Sequence, residues 1–334
     1  MKAYEFNGPP RGLAALGLVE RPEPVPGPGQ ALVRMRAASL NYRDIQILRG
    51  SYGVRPEVPL SDGAGEVVSV APGVTRVRVG DRVAGAFRQA HISGDLTPET
   101  AASALGGETE GVLAELVAFD QRGLVMVPEH LSYEEAATLP CAAVTAWNAL
   151  VVEGQLQAGE TVLLLGTGGV SVFALQFAKQ MGAKVIITSS SDEKLERARS
   201  LGADLLINYK ATPGWDEEVT ALTEGRGADI VLELGGSETL SRSLNAVRVS
   251  GRVQVIGVIN GIKGEIDVTK ILGKHIRVQG ISVGSRDSFE AMNRAIAQGR
   301  LRPAIDRVFP FGEAKDAFAY LETGNHFGKV VITI

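Results

Sequence analysis

Thr161-Val162-Leu163-Leu164-Leu165 runs into Gly166-Thr167-Gly168-Gly169-Val170-Ser171, then into a helical stretch ending at Met181 and a second apolar run from Lys184 to Thr188. Strand, glycine turn, helix and strand in that order make a phosphate-binding βαβ unit, and the order is what gives a glycine pattern meaning. Gly166 permits a tight exit from the strand. Gly168 lets backbone amides approach a pyrophosphate, and a helix starting near Gly169 points its positive end at that charge. Ser171 stands where the pattern has a third small residue, Gly or Ala, a tolerable departure. The expected ligand is a dinucleotide.

The end of the second strand bears on which dinucleotide. A free ribose 2′-hydroxyl is usually held by Asp or Glu about 20 residues after the first glycine, and that window here reads Ile187-Thr188-Ser189-Ser190-Ser191, without a carboxylate. Ser189 and Ser190, with Lys194 a turn into the next helix, suit a 2′-phosphate that a carboxylate would repel. NADP(H) is therefore expected over NAD(H). Ser191 or Asp192 also reads as the cap of a helix from Asp192 to Ser200, and capping and phosphate binding are compatible.

Beyond this unit the chain has two characters. Up to about residue 145 it is strand-rich and broken by turns, with Ala31 to Met35, Gly65 to Val68 and Val79 to Val83 as strand segments of a small β-barrel. From Thr161 strands alternate with amphipathic helices, with further strands at Ala203 to Ile207, Asp229 to Leu232, Arg252 to Ile256 and Ile276 to Ile281, the rhythm of a doubly wound parallel sheet in an α/β fold. The tail, with a helix from Asp287 to Ala297 and a strand from Lys329 to Ile334, leaves that rhythm. Its expected place is with the first domain. The expected division is 1–145 with 285–334, and 146–284. Arg88 to Gly111 has no clear period and reads either as a lobe over a site or as a surface excursion with a short helix at Glu99 to Ala104.

The 334 residues are 45% hydrophobic with a formal net charge of −4, enough for a sizeable core and no electrostatic reason to bind nucleic acid or an anionic membrane. With no leader-like start and no apolar span of bilayer length, the expected location is the cytoplasm. Cys141 is the one cysteine, which excludes an intrachain disulfide and a four-cysteine zinc site. The four histidines form no metal-spaced cluster.

Asn41-Tyr42-Arg43-Asp44, Pro59-Leu60-Ser61-Asp62-Gly63-Ala64-Gly65, Gly80-Asp81-Arg82-Val83, Thr138-Leu139-Pro140-Cys141, the Gly166 turn and Ser189-Ser190-Ser191 occur in an order that resembles the medium-chain dehydrogenase/reductase superfamily. The likeness covers the whole chain and is closest to the zinc-independent alcohol dehydrogenase and quinone oxidoreductase branch. It implies a GroES-like catalytic barrel beside a Rossmann domain, and a homodimer is expected. Where the zinc branch of the family holds its catalytic metal, this sequence has Asn41, Ser61-Asp62 and Cys141. Asn and Ser are poor substitutes for thiolate and imidazole at Zn²⁺, so no metal is expected.

The resemblance also implies site residues. Asn41 lies beside nicotinamide and substrate. Tyr42 and Tyr52 border the pocket, and Thr145, Leu234, Val258, Ser282 and Lys329 line the cofactor. Tyr209 stacks near the adenosine phosphate, although on the residues alone it also reads as a turn tyrosine. Without a Lewis acid, hydrogen-bond donors must stabilise the charge that develops as hydride arrives, which suits quinones and α,β-unsaturated carbonyls. Tyr52 is the first choice of donor, and Arg43 is an alternative cation unless it pairs with Asp44. Two other readings stay open: a zinc-independent alcohol or aldehyde dehydrogenase, and a crystallin-like protein that binds NADPH without turnover. Gly280-Ile281-Ser282-Val283-Gly284 matches a hydrolase nucleophile pattern, but it closes the strand series instead of sitting midway through it.

Overall fold

A computed structural model describes residues 1–8, 11–54 and 56–334. The chain divides into two compact units, Met1–Val144 with Gly284–Ile334, and Thr145–Val283.

In the second unit six strands form one sheet: β1 (Thr161–Leu164), β2 (Lys184–Ser189), β3 (Leu205–Asn208), β4 (Ala228–Glu233), β5 (Val247–Val255) and β6 (Arg277–Gly280). All pairings are parallel, in the order β3-β2-β1-β4-β5-β6. This is the doubly wound Rossmann order, with its switch point between β1 and β4. The central strands are continuous apolar runs because helices cover both faces. Helix α1 (Gly169–Gln180) buries Val172, Phe173, Leu175 and Phe177, and α2 (Asp192–Ser200) buries Leu195 and Ala198. Leu163, Ile186, Ile207, Val231 and Val253 form one buried cluster with Trp215 and Val219 of α3 (Trp215–Leu222). Each such side chain contributes about 1.5–3 kcal/mol of burial. Strand β6 is an edge strand exposed along its whole length.

The residues after Ser250 explain one departure from the sequence reading. The sequence reading starts this strand at Arg252, yet β5 starts at Val247. Ser250 has φ 57°, and the register against β4 slips there, with Ala228 opposite Val247 and Ile230 opposite Arg252. The slip is a bulge inside the strand, and the residues before it add to the pairing with β4.

In the first unit the strand Gln30–Ser39 is the organiser. It pairs antiparallel with Asp62–Val70 along one edge, and on the other with Leu116–Asp120 near its start and Lys329–Thr333 near its end. Arg82–Gly85, Leu124–Met126 and Ile305–Pro310 complete a seven-stranded sheet. The tail's helix runs Arg286–Gly299, longer at both ends than its sequence period suggests, because Ser285 caps it and Arg300 leaves in the left-handed region. The unit is the GroES-like domain, and the chain is an α/β protein.

Register is what places the chemistry in this unit. Ser39 lies opposite both Val331 and Asp62, so two residues further on Asn41 meets Lys329, with Asp62 on the neighbouring strand.

Candidate active site and dinucleotide site

In the Rossmann unit, Gly166 has φ 75°, a conformation other residues rarely adopt, and its N–H donates to Thr188 Oγ1 at 3.2 Å. Gly168 precedes α1, whose first turn contains Gly169, Val170 and Ser171. The Ser171 hydroxyl donates to Leu165 O at 2.8 Å, so the departure from Gly or Ala adds a tie between helix and strand. Thr167 is buried.

At the end of β2, Ser189 is buried and its Oγ accepts the Ser191 N–H at 3.3 Å; Ser190 is half-buried. Ser191 caps α2, its Oγ accepting the Lys194 N–H at 3.4 Å. Tyr209 is 40% exposed and ties β3 to β2 through its N–H to Ser189 O. Leu165, Gly166, Thr188, Tyr209, Trp215, Leu234 and Asn260 line a cavity of about 390 Å³ at the carboxyl ends of the strands, where open α/β sheets bind ligands. The arrangement fits a dinucleotide. Thr145 is buried, Val258 is 39% exposed and Ser282 is exposed beyond the edge strand β6.

One wall of this cavity depends on a residue that sequence reasoning missed. Glu233, fully buried at the end of β4, accepts the Gly235 N–H at 2.7 Å, the Gly236 N–H at 3.0 Å and the hydroxyls of Thr239 and Ser243. Its carboxylate thereby fixes the turn into the helix Ser237–Ala246, and the turn pairs with the next loop through Ile259 N–H to Leu234 O and Asn260 N–H to Gly235 O. The available signal was an acidic residue followed by Gly-Gly and hydroxyls at 239 and 243.

In the GroES-like unit, Asn41 precedes the helix Tyr42–Leu48, and its backbone N–H donates to Asp44 Oδ2 at 2.7 Å. Lys329, 2% exposed, donates from Nζ to Leu40 O and to Asn41 Oδ1, both at 2.6 Å. Asp62 is fully buried and accepts the Ser61 hydroxyl at 2.6 Å and the Cys141 N–H at 3.1 Å. Burial pushes the Cys141 thiol up to about 12, with Asp62 adding to the rise, which leaves it a neutral small side chain. Burial also raises Asp44, to about 6, against the pull of Arg43. Burial lowers Lys329, and Asp62 opposes that.

These side chains do not fit a zinc ion. Lys329 Nζ bonds the Asn41 oxygen, Asp62 is engaged with Ser61 and a backbone amide, and Cys141 is the one sulfur among them. Among the described residues no group of three or more His, Cys, Asp or Glu could hold a metal.

Arg43 is 8% exposed, 3.7 Å from Asp44, and donates to Leu105 O at 3.0 Å. Its guanidinium carbon lies 4.8 Å from the Phe87 ring centroid and 5.3 Å from that of Tyr52. A Cβ on Gly107 would come within 2.5 Å of Arg43 Nη2, so the backbone wraps this side chain closely. Tyr42 and Tyr52 are 40% and 43% exposed. The segment from Arg88 to Gly111 carries a short helix, Pro98–Ala101, which starts one residue before the expected Glu99 and ends three before Ala104. It leads into Val112, whose N–H bonds Leu60 O, and a Cβ on Gly111 would fall 2.2 Å from Pro59 O. Leu60 itself has φ 71°, strained backbone directly before Ser61-Asp62.

The Rossmann unit thus offers a dinucleotide cradle and the GroES-like unit a buried polar cluster, the equipment of a nicotinamide-linked oxidoreductase. Residues 27–129 match the alcohol dehydrogenase GroES-like domain family, and residues 169–298 the zinc-binding dehydrogenase family. A zinc-type alcohol dehydrogenase-like protein of Schizosaccharomyces pombe is 43% identical over 316 residues, covering 92% of this chain and 91% of its own. Among solved structures, an NAD-dependent alcohol dehydrogenase superposes with TM-score 0.91 at 33% identity over 100% of both chains. A 2-octenoyl-CoA carboxylase reductase, in complex with NADP and 2-octenoyl-CoA, superposes with TM-score 0.88 at 28% identity over 99% of this chain and 87% of its own. The chain belongs to the medium-chain dehydrogenase/reductase superfamily. It is an alcohol dehydrogenase-like oxidoreductase. Among the described residues no helix is long and apolar enough to cross a membrane.

Proposed function

We propose that the protein is an NADP(H)-dependent oxidoreductase that moves hydride to a quinone or an α,β-unsaturated carbonyl without zinc. The observation that carries this reading is Lys329 Nζ bonded to the Asn41 oxygen within the polar cluster, which engages the oxygen a metal would need. A conjugated acceptor suits such a site, since its charge is delocalised and a modest donor suffices.

When bound, NADPH supplies the hydride. The Gly166 turn and the first turn of α1 hold the pyrophosphate, and Ser189, Ser190 and Lys194 take the 2′-phosphate. Asn41 borders the reacting carbonyl. The Tyr52 hydroxyl gives its proton to the acceptor oxygen, and Arg43, stacked on Tyr52, positions that ring. A second reading, oxidation of alcohols or aldehydes, is favoured by the names of the fission-yeast relative and the NAD-dependent structure. The octenoyl-CoA complex favours the first.

NADPH oxidation by chelator-treated protein against a panel of quinones, enals, aldehydes and alcohols tests the reading. Quinones or enals are expected to turn over at the untreated rate. Activity confined to alcohols, or lost with a stoichiometric zinc, would overturn it.

Cofactor choice has its own test. NADPH is expected to bind at least about tenfold more tightly than NADH by fluorescence titration, and Lys194→Ala to remove most of the difference, because one charge-assisted contact is worth about 1.5–3 kcal/mol. Equal affinities in the unaltered protein would refute it.

A further inference from the structure

Asn41 carries an unusual pair of amide atoms. Its oxygen accepts from Lys329 Nζ at 2.6 Å, while its Nδ2 is buried with no hydrogen-bond partner. A buried amide donor left unpaired costs stability, and such orphans in a native site call for an explanation. With Lys329 held charged by Asp62 and Asp44, its ammonium can only donate, which matches its bond to the oxygen of Asn41 and not to the nitrogen. The amide therefore has one permitted orientation, with its N–H groups turned away from the lysine.

Lys329 is itself firmly placed. Its backbone N–H bonds Ala304 O, its strand is held in register by Val331 opposite Ser39, and its second Nζ bond goes to Leu40 O. Across the adjoining strand lie Asp62 and, one helical turn into Tyr42–Leu48, Asp44, which compensate a buried positive charge. The cluster contains what is needed to keep a cation in place, and in it the Asn41 Nδ2 bonds no acceptor among the described residues.

We infer that Lys329 is a positioning residue that locks the Asn41 side chain as a hydrogen-bond donor to a ligand carbonyl oxygen. That oxygen belongs to the nicotinamide carboxamide or to the carbonyl acceptor. The donor then does locally, with a fixed dipole, part of what a metal ion does at a polarised carbonyl. The turnover arm of the test rests on the hydride-transfer reading above; the spectroscopic arm does not.

Protein labelled with ¹⁵N only at asparagine gives the direct readout. The Asn41 side-chain amide is assigned by its loss in Asn41→Asp. Its signals are expected to shift in Lys329→Met and, in the unaltered protein, on adding NADPH or the substrate probe 1,4-naphthoquinone. In turnover at saturating NADPH, Asn41→Ala and Lys329→Met are each expected to lower kcat about tenfold, and the double variant no further, since one lock is lost either way. Asn41→Asp keeps an oxygen for Lys329 while removing the N–H donor. A raised NADPH Kd in that variant identifies the carboxamide as the acceptor; an unchanged Kd with lowered kcat identifies the substrate. Amide signals indifferent to Lys329→Met, or losses that multiply in the double variant, overturn the lock. If 1,4-naphthoquinone is not reduced while the amide shifts as expected, the hydride-transfer reading fails and the lock stands.

Discussion

Replacing Asp229 by alanine is expected to lower the stability of the nucleotide-binding unit by about 3–5 kcal/mol, the usual cost of breaking a buried ion pair from one side. Asp229 lies in β4 with its side chain 1% exposed. It accepts the Thr161 N–H of β1 at 2.8 Å, two bonds from Arg226 at 2.8 and 2.6 Å, and one from Arg248 Nε of β5. One carboxylate thus joins three adjacent strands. Its removal leaves a buried backbone N–H and Arg248, 24% exposed, without their main partner. Burial alone would raise the pKa of Asp229, but the bonds from Arg226, Thr161 and Arg248 outweigh it and hold the carboxyl below its ordinary value. The stabilisation is therefore full above about pH 4, the unfolded value, and is lost as pH falls through the lower folded value. Urea unfolding followed by tryptophan fluorescence should show the deficit at pH 7 and a narrowing gap between Asp229→Asn and the unaltered protein on acidification. A loss below about 1 kcal/mol at pH 7 would mean that the arginines re-pair elsewhere.

The second large effect concerns Tyr52. With this hydroxyl as proton donor to the reduced acceptor, Tyr52→Phe is expected to lower kcat roughly tenfold to a thousandfold with little change in NADPH affinity, as for a group that acts mainly in the transition state. The ring is 43% exposed and packs beside the Arg43 guanidinium, which is itself fixed to the Leu105 carbonyl, so the phenylalanine ring keeps the same seat. The measurement is steady-state turnover with a quinone or enal, with hydride transfer shown to limit the rate by a deuterated cofactor. Undiminished turnover would assign the proton to water and leave Tyr52 as a pocket wall.

How far the chain could be read differs between its two units for a physical reason. The Rossmann unit is written in local signals. The strand and glycine turn before it mark α1, Ser191 announces α2 from Asp192 to Ser200, and the glycine turn falls where the backbone needs a positive φ at Gly166. The polar cluster of the other unit is built by strand register instead. Asn41 and Lys329 are 288 residues apart and meet because Val331 lies opposite Ser39. No local pattern carries that information. Ser61-Asp62 and Cys141 were visible as places in a motif, yet their mutual bond, and the role of Glu233 behind the cofactor wall, depend on which groups burial leaves with a partner to find.

The grip of Arg43 on the lobe has a bearing on chemical durability. A guanidinium donating to the Leu105 carbonyl and seated between two aromatic rings has no sulfur to oxidise and no ion to surrender. The segment from Arg88 to Gly111 contains no cysteine or methionine, and burial disfavours the thiolate of Cys141, the one cysteine of the chain. Thiolate character governs attack by peroxides, and quinones also add to thiolates. Under the function proposed above, a catalyst for electrophilic, redox-active acceptors built this way carries little in its site that those acceptors can alkylate or oxidise.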